Sequence, residues 1–153
     1  MPIQVLDYGQ LSDGRKVELH RLTNAGGMTA EVLTFGAHLV SLTAPDRDGR
    51  MGDVTLGFAD LDGWREGTGY LGATVGRFGN RIADAKFELD GKACQLAANE
   101  PPNHLHGGEV GFNKRLWNAR PVDRSGEAGV ELTYTSPDGE EGYPGTLQAS
   151  VVY

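Results

Sequence analysis

The chain has 153 residues, a formal net charge of −7 and one cysteine, an acidic balance that argues against a nucleic-acid or anionic-membrane partner, since either would favour a basic face. The length suits one domain, residues 1–153, able to bury roughly two-thirds of its unfolded surface, and the lone thiol of Cys94 rules out an internal disulfide and a cysteine-based zinc site. Residues 1–7 show no basic start or apolar run of signal length, and no stretch approaches the roughly 20 apolar residues of a membrane span, so the expected compartment is the cytoplasm.

Taken in order, apolar residues recur at period two in short runs broken by Gly, Asp, Asn and Pro, the pattern of an all-β domain. Val17 and Leu19 alternate with Lys16 and Glu18. Ala30, Val32 and Thr34 form a second run, His38, Val40 and Leu42 a third, and Val54, Leu56 and Phe58 a fourth. Turns are predicted at residues 12–14, 24–27 and 45–49, where glycine supplies positive φ and Asp or Asn closes the turn through its side chain. Residues 59–66 read as one short helix. Residues 87–92 read as a strand entering a tight hairpin at Asp90-Gly91, and Cys94 as a small buried apolar residue. From Thr146, Leu147, Ala149, Val151 and Tyr153 alternate with Gln148, Ser150 and Val152, and the sequence stops inside this pattern. Met1 therefore reads as a true start and Tyr153 as a cut within a strand. An edge strand left without its neighbour invites self-association.

Chemistry concentrates between residues 72 and 108. One end, Gly72-Ala73-Thr74-Val75-Gly76-Arg77-Phe78-Gly79-Asn80-Arg81-Ile82, sets two arginines and an asparagine among glycines. The other, Asn103-His104-Leu105-His106-Gly107-Gly108, sets two histidines before a glycine pair. The strand-turn-strand pattern between them predicts that Arg81 and His106 meet on one concave surface, within about 10 Å, as polar groups of ligand pockets do. Glycines admit close backbone approach, Asn80 and Arg81 offer donors suited to adjacent hydroxyls, and His106 donates or accepts near neutral pH. Such a set suits a sugar. The alternative is that Arg81 pairs with an acidic loop residue and both histidines are turn residues with local hydrogen bonds.

Other patterns carry less. Gly76-Arg77-Phe78-Gly79 has the spacing of an RNA-binding loop without the flanking helices or basic face. Asp46-Arg47-Asp48-Gly49 opens like a calcium loop, but Arg50 stands at its fifth position and no glutamate closes it. His104 and His106, two apart on a strand, would share a face and could share a metal, yet carboxylates nearby are few. Asp138-Gly139-Glu140-Glu141-Gly142 reads as an acidic surface loop.

The sequence is similar to the aldose 1-epimerase (galactose mutarotase) family along practically its full length. The residues that carry the likeness are Phe35-Gly36-Ala37, Pro45-Asp46-Arg47-Asp48-Gly49, residues 53–58, the glycine-rich run from Gly72 to Ile82, the histidine motif ending at Gly108, Gly111-Phe112-Asn113-Lys114 with Trp117, and residues 136–145. Gly79 stands where the family often has alanine, and Asn113 where it often has aspartate.

The resemblance implies an antiparallel β-sandwich with an open sugar cleft, and interconversion of the α and β anomers of free aldohexoses such as galactose and glucose without a metal or organic cofactor. By motif position Asn80 and Arg81 bind sugar hydroxyls, while His106 binds beside the reacting centre and assists as the ring opens. The family's second histidine, its sugar-binding aspartate and its glutamate base lie downstream of the region matching Tyr153. The expectation is the N-terminal half of an epimerase, inactive alone. A non-catalytic sugar-binding or interaction module built on half the fold is the other reading.

Overall fold

The first three alternating runs fall largely in β2 (Lys16–Thr23), β3 (Thr29–Leu33) and β4 (Leu39–Pro45), flanked by β1 (Ile3–Gln10) and β5 (Met51–Asp53), which no alternation announced; these five antiparallel strands are hydrogen-bonded in chain order as one sheet. A short helix, α1 (Leu61–Glu66), follows, then a two-residue strand, β6 (Arg81–Ile82), a hairpin of β7 (Lys86–Leu89) and β8 (Lys92–Gln95), and a second short strand, β9 (His104–Leu105), which pairs with β6. The chain closes with a three-stranded antiparallel sheet of β10 (Asn118–Arg124), β11 (Glu127–Ser136) and β12 (Leu147–Val152). The structure, a computed structural model, describes residues 3–124 and 126–153.

The two large sheets pack face to face, which makes the architecture an all-β, antiparallel, sandwich-like fold as expected. Leu22 and Val32 of the first sheet meet Val130 and Leu132 of the second, with Phe112 and Trp117 filling the space between. The outer face of the first sheet is covered too. Val17, Leu19 and Leu33 pack there on Leu61 and Trp64 of α1, so β2 is buried on both faces. Each fully buried Leu or Val contributes about 1.5–3 kcal/mol through area removed from water. Backbone pairing locks the sheets together where Gly36 N–H donates to Arg115 C=O (2.7 Å) and Trp117 N–H to Thr34 C=O (2.8 Å). At the far end the Tyr153 hydroxyl donates to Ala37 C=O (3.0 Å).

Most local expectations hold. The β7–β8 hairpin turns at Asp90 and Gly91, both at positive φ (51° and 73°), the backbone that a two-residue hairpin loop requires. Asp46 Oδ1 accepts the N–H groups of Asp48 (2.8 Å) and Arg50 (2.9 Å), closing the β4–β5 hairpin as a solvated turn. The helix begins at Leu61, two residues later than expected, because Asp60 is its N-cap and accepts Gly63 N–H at 2.9 Å.

Three readings are corrected. Residues 54–58 are not a strand, and Val54 and Leu56 are 64% and 78% exposed. Asp53 diverts the chain: its Oδ1 accepts Thr55 N–H (2.9 Å) while Oδ2 takes the Ser41 hydroxyl (2.7 Å), so the ladder with β4 ends there. The run His38, Val40, Leu42 does not share one face. A bulge in the β3–β4 register turns Val40 toward α1, while Leu42 lines a groove with Leu22 and Ala30. Cys94 is half-buried on the β7–β8 hairpin rather than in the core, because that hairpin packs mainly through Phe87.

Candidate sugar-binding edge

The β6–β9 ladder brings the two chemistry-bearing stretches together, with Arg81 opposite Leu105 and Ile82 opposite His104. Just past the ladder, Asn80 and His106 both adopt left-handed backbone, φ 71° and 49°, and turn their chains out of the sheet. They remain paired. His106 N–H donates to Asn80 C=O (3.1 Å), and Asn80 N–H donates to His106 Nδ1 (3.0 Å). A ring that accepts at Nδ1 is neutral and carries its proton on Nε2, so the backbone sets the tautomer.

Arg81 is half-exposed and held by Glu100, its Nε and Nη2 donating to the two carboxylate oxygens at 2.5 Å each, with Nη1 3.4 Å from Asn80 Oδ1. The Arg81 hydrogen bonds hold the Glu100 carboxyl below its ordinary value. Arg81 is raised in return. Tyr70 closes the other flank, its ring centroid 4.4 Å from that of His106. Burial raises the Tyr70 phenol, and the charges of Glu100 and Glu109 add to this. Next to Tyr70 lies a polar depression of about 220 Å³, also lined by Asn99, Gly108, Glu109, Asn113 and Lys114. A larger apolar groove of about 320 Å³ along Leu22, Leu42 and Tyr153 offers few polar groups.

Asn80, Arg81 and His106 thus form one continuous edge with Tyr70 and Glu100, two residues that the motif reading passed over. Glu100 is the acidic partner that the alternative reading of Arg81 called for. The available sequence signal was a carboxylate placed six residues ahead of His106, in Glu100-Pro101-Pro102. His104 does not join the edge. It is fully buried, with Nδ1 donating to Ala97 C=O (2.7 Å) and Nε2 accepting from the Tyr143 hydroxyl (2.8 Å), so the two imidazoles share neither a face nor a metal. Among the described residues no group of three His, Cys, Asp or Glu is placed to hold a metal ion.

Arg77 faces away from the edge. Its guanidinium donates to the Ser136 hydroxyl (2.8 Å) and to the carbonyls of Ser136 (3.1 Å), Pro137 (2.8 Å) and Pro144 (3.1 Å), and it lies over the Tyr143 ring. The acidic run between these acceptors is in part the surface loop expected: Asp138, Gly139 and Gly142 are exposed, whereas Glu140 and Glu141 are half-buried. The Glu140 side chain is only 8% exposed, accepting from the Tyr134 hydroxyl (2.6 Å), the Ser136 hydroxyl and Arg115 (2.8 Å).

The aldose 1-epimerase family model matches residues 18–153. Human galactose mutarotase is 44% identical over 147 residues, which are 95% of this chain and 42% of that protein. The aldose 1-epimerase of Haemophilus influenzae is 40% identical over 141 residues, 92% of this chain and 40% of that one. Among solved structures, galactose 1-epimerase from Lactobacillus acidophilus superposes with a TM-score of 0.86 at 30% identity, covering 99% of this chain and 44% of that one. The chain thus spans about two-fifths of the length of the relatives it matches, and it belongs to the aldose 1-epimerase family.

Proposed function

We propose that this chain supplies the sugar-holding edge of an aldose 1-epimerase acting on free aldohexoses such as galactose and glucose. The observation that carries the reading is the Asn80–His106 pair, which presents an imidazole of fixed tautomer beside the outward-facing guanidinium of Arg81. Anomer exchange takes a proton from the anomeric hydroxyl and gives one to the ring oxygen, so that the ring opens to the aldehyde, rotates and recloses on either face. In this reading Asn80 and Arg81 bind hydroxyls, and the Nε2–H of His106 donates to the oxygen on which charge develops. Family membership supports the isomerase class. The family resemblance implies that the residues for the acid and base steps lie outside these 153 residues.

The test is titration of the isotope-labelled chain with galactose, followed by NMR. Shifts confined to Asn80, Arg81, His106 and Tyr70 are expected, and their absence at saturating sugar would sink the reading. Polarimetry on freshly dissolved α-galactose should show no acceleration by the chain alone, because acid and base groups are each worth about a hundredfold to ten-thousandfold. Acceleration that disappears in His106→Ala would place the whole machinery within this chain.

A further inference from the structure

Resting on the reading of Asn80, Arg81 and His106 as a sugar edge, we propose that Glu141 is a positioning residue, its carboxylate clamping the turn that carries His106. The two carboxylate oxygens of Glu141 accept the N–H groups of Glu109 (2.9 Å) and Val110 (3.0 Å). Its carbonyl accepts Ala97 N–H (3.1 Å), in the segment that leads into β9. One residue of the β11–β12 connection therefore holds the histidine motif from both sides.

The backbone is shaped for this contact. Gly108, at φ 103°, lies so close that a Cβ there would overlap the Glu141 carboxylate, and a Cβ on Gly107, at φ 92°, would run into the Gly76 carbonyl. The glycine pair after His106 is thus pinned between Gly76 and Glu141, and His106 is delivered at the height where Asn80 N–H meets Nδ1. Glu141 itself sits at φ 52°, a left-handed conformation that is unfavourable for a non-glycine residue. Its neighbour Glu140 spends its carboxylate on Tyr134, Ser136 and Arg115. The two acids divide the work: Glu140 holds its own loop and Glu141 holds the turn of His106.

The experiment reads the imidazole nitrogens of His106 by 15N NMR in the 153-residue chain and in Glu141→Ala, Glu141→Gln and Gly108→Ala. The native chain should show a single Nε2–H tautomer with a hydrogen-bonded Nδ1. Glu141→Ala should shift His106 toward two exchanging tautomers, leaving the His104 ring and the Trp64 indole in place. Glu141→Gln, which keeps the volume and one acceptor, should fall between. Gly108→Ala should reproduce the Glu141→Ala spectrum with the carboxylate still present. Galactose binding in Glu141→Ala should weaken about tenfold, the loss of one well-formed hydrogen bond. An unchanged His106 in both alanine variants overturns the proposal, as does a shift of His104 and Trp64 in step with His106, the mark of general loosening. A native chain without galactose response would remove the sugar reading, and the imidazole spectra would still decide the role of Glu141.

Discussion

Asn80 and His106 grip each other twice, each offering its backbone N–H, one to a carbonyl at 3.1 Å and the other to an imidazole nitrogen at 3.0 Å. The second bond makes an asparagine backbone, rather than a carboxylate, the group that orients the histidine. It also forces Asn80 into left-handed backbone at φ 71°, which asparagine tolerates better than most residues.

Asn80→Ala should therefore destabilise the chain by about 1 kcal/mol through that conformation alone, whereas Asn80→Gly should hold stability near that of the native chain. Both lose the amide and should bind galactose less well. Urea unfolding paired with the NMR titration checks this. Equal stability of the two variants would show that the left-handed cost is not felt at this position.

His38 should make the fold sensitive to mild acid. It is buried between the carbonyls of Leu71 (3.0 Å from Nδ1) and Asn113 (3.1 Å from Nε2), and burial pushes its pKa below the ordinary histidine value although both carbonyls pull the other way. With the folded value below the unfolded one, the unfolded chain binds the extra proton. The contribution of His38 is then fully present above about pH 6.5 and is lost as pH falls toward the folded value. Denaturation midpoints between pH 7.5 and 5 should decline, and His38→Gln should flatten the decline. An unaltered slope in that variant would assign the acid sensitivity to other groups.

β12 is the outer strand of its sheet, and Val152 and Leu147 are 54% and 39% exposed. An outer strand with exposed apolar side chains is a template for pairing with other chains. Light scattering during size exclusion should show self-association that grows with concentration, and Val152→Lys should reduce it. A monomer at all concentrations would show that this edge does not template pairing.

What the sequence revealed and what it hid follow from how local each signal is. The Asp90-Gly91 turn and the Asp46 loop were legible because their side chains and φ angles act within a few residues. Val54, Leu56 and Phe58 carried the right alternation without a neighbouring strand to receive it, and pairing is decided by distant residues. Arg77 and Arg81 lie four apart in one glycine-rich motif, yet one is a clamp for residues 136–144 and the other faces solvent. Only the tertiary partners tell them apart. Tyr70 and Glu100 escaped notice because each lies outside the motif it serves. Glu141 looked like surface because its two partners are backbone N–H groups, which leave no trace in a side-chain pattern.

The Arg77 clamp also orders events during synthesis. Its acceptors at Ser136, Pro137 and Pro144 leave the ribosome more than fifty residues after it does. Chains emerge N-terminus first, so the first sheet can close while the Asn80–His106 edge still lacks the support behind it. A nascent chain stalled before Pro144 should present β1 to β5 already paired and the Asn80–His106 edge still unset.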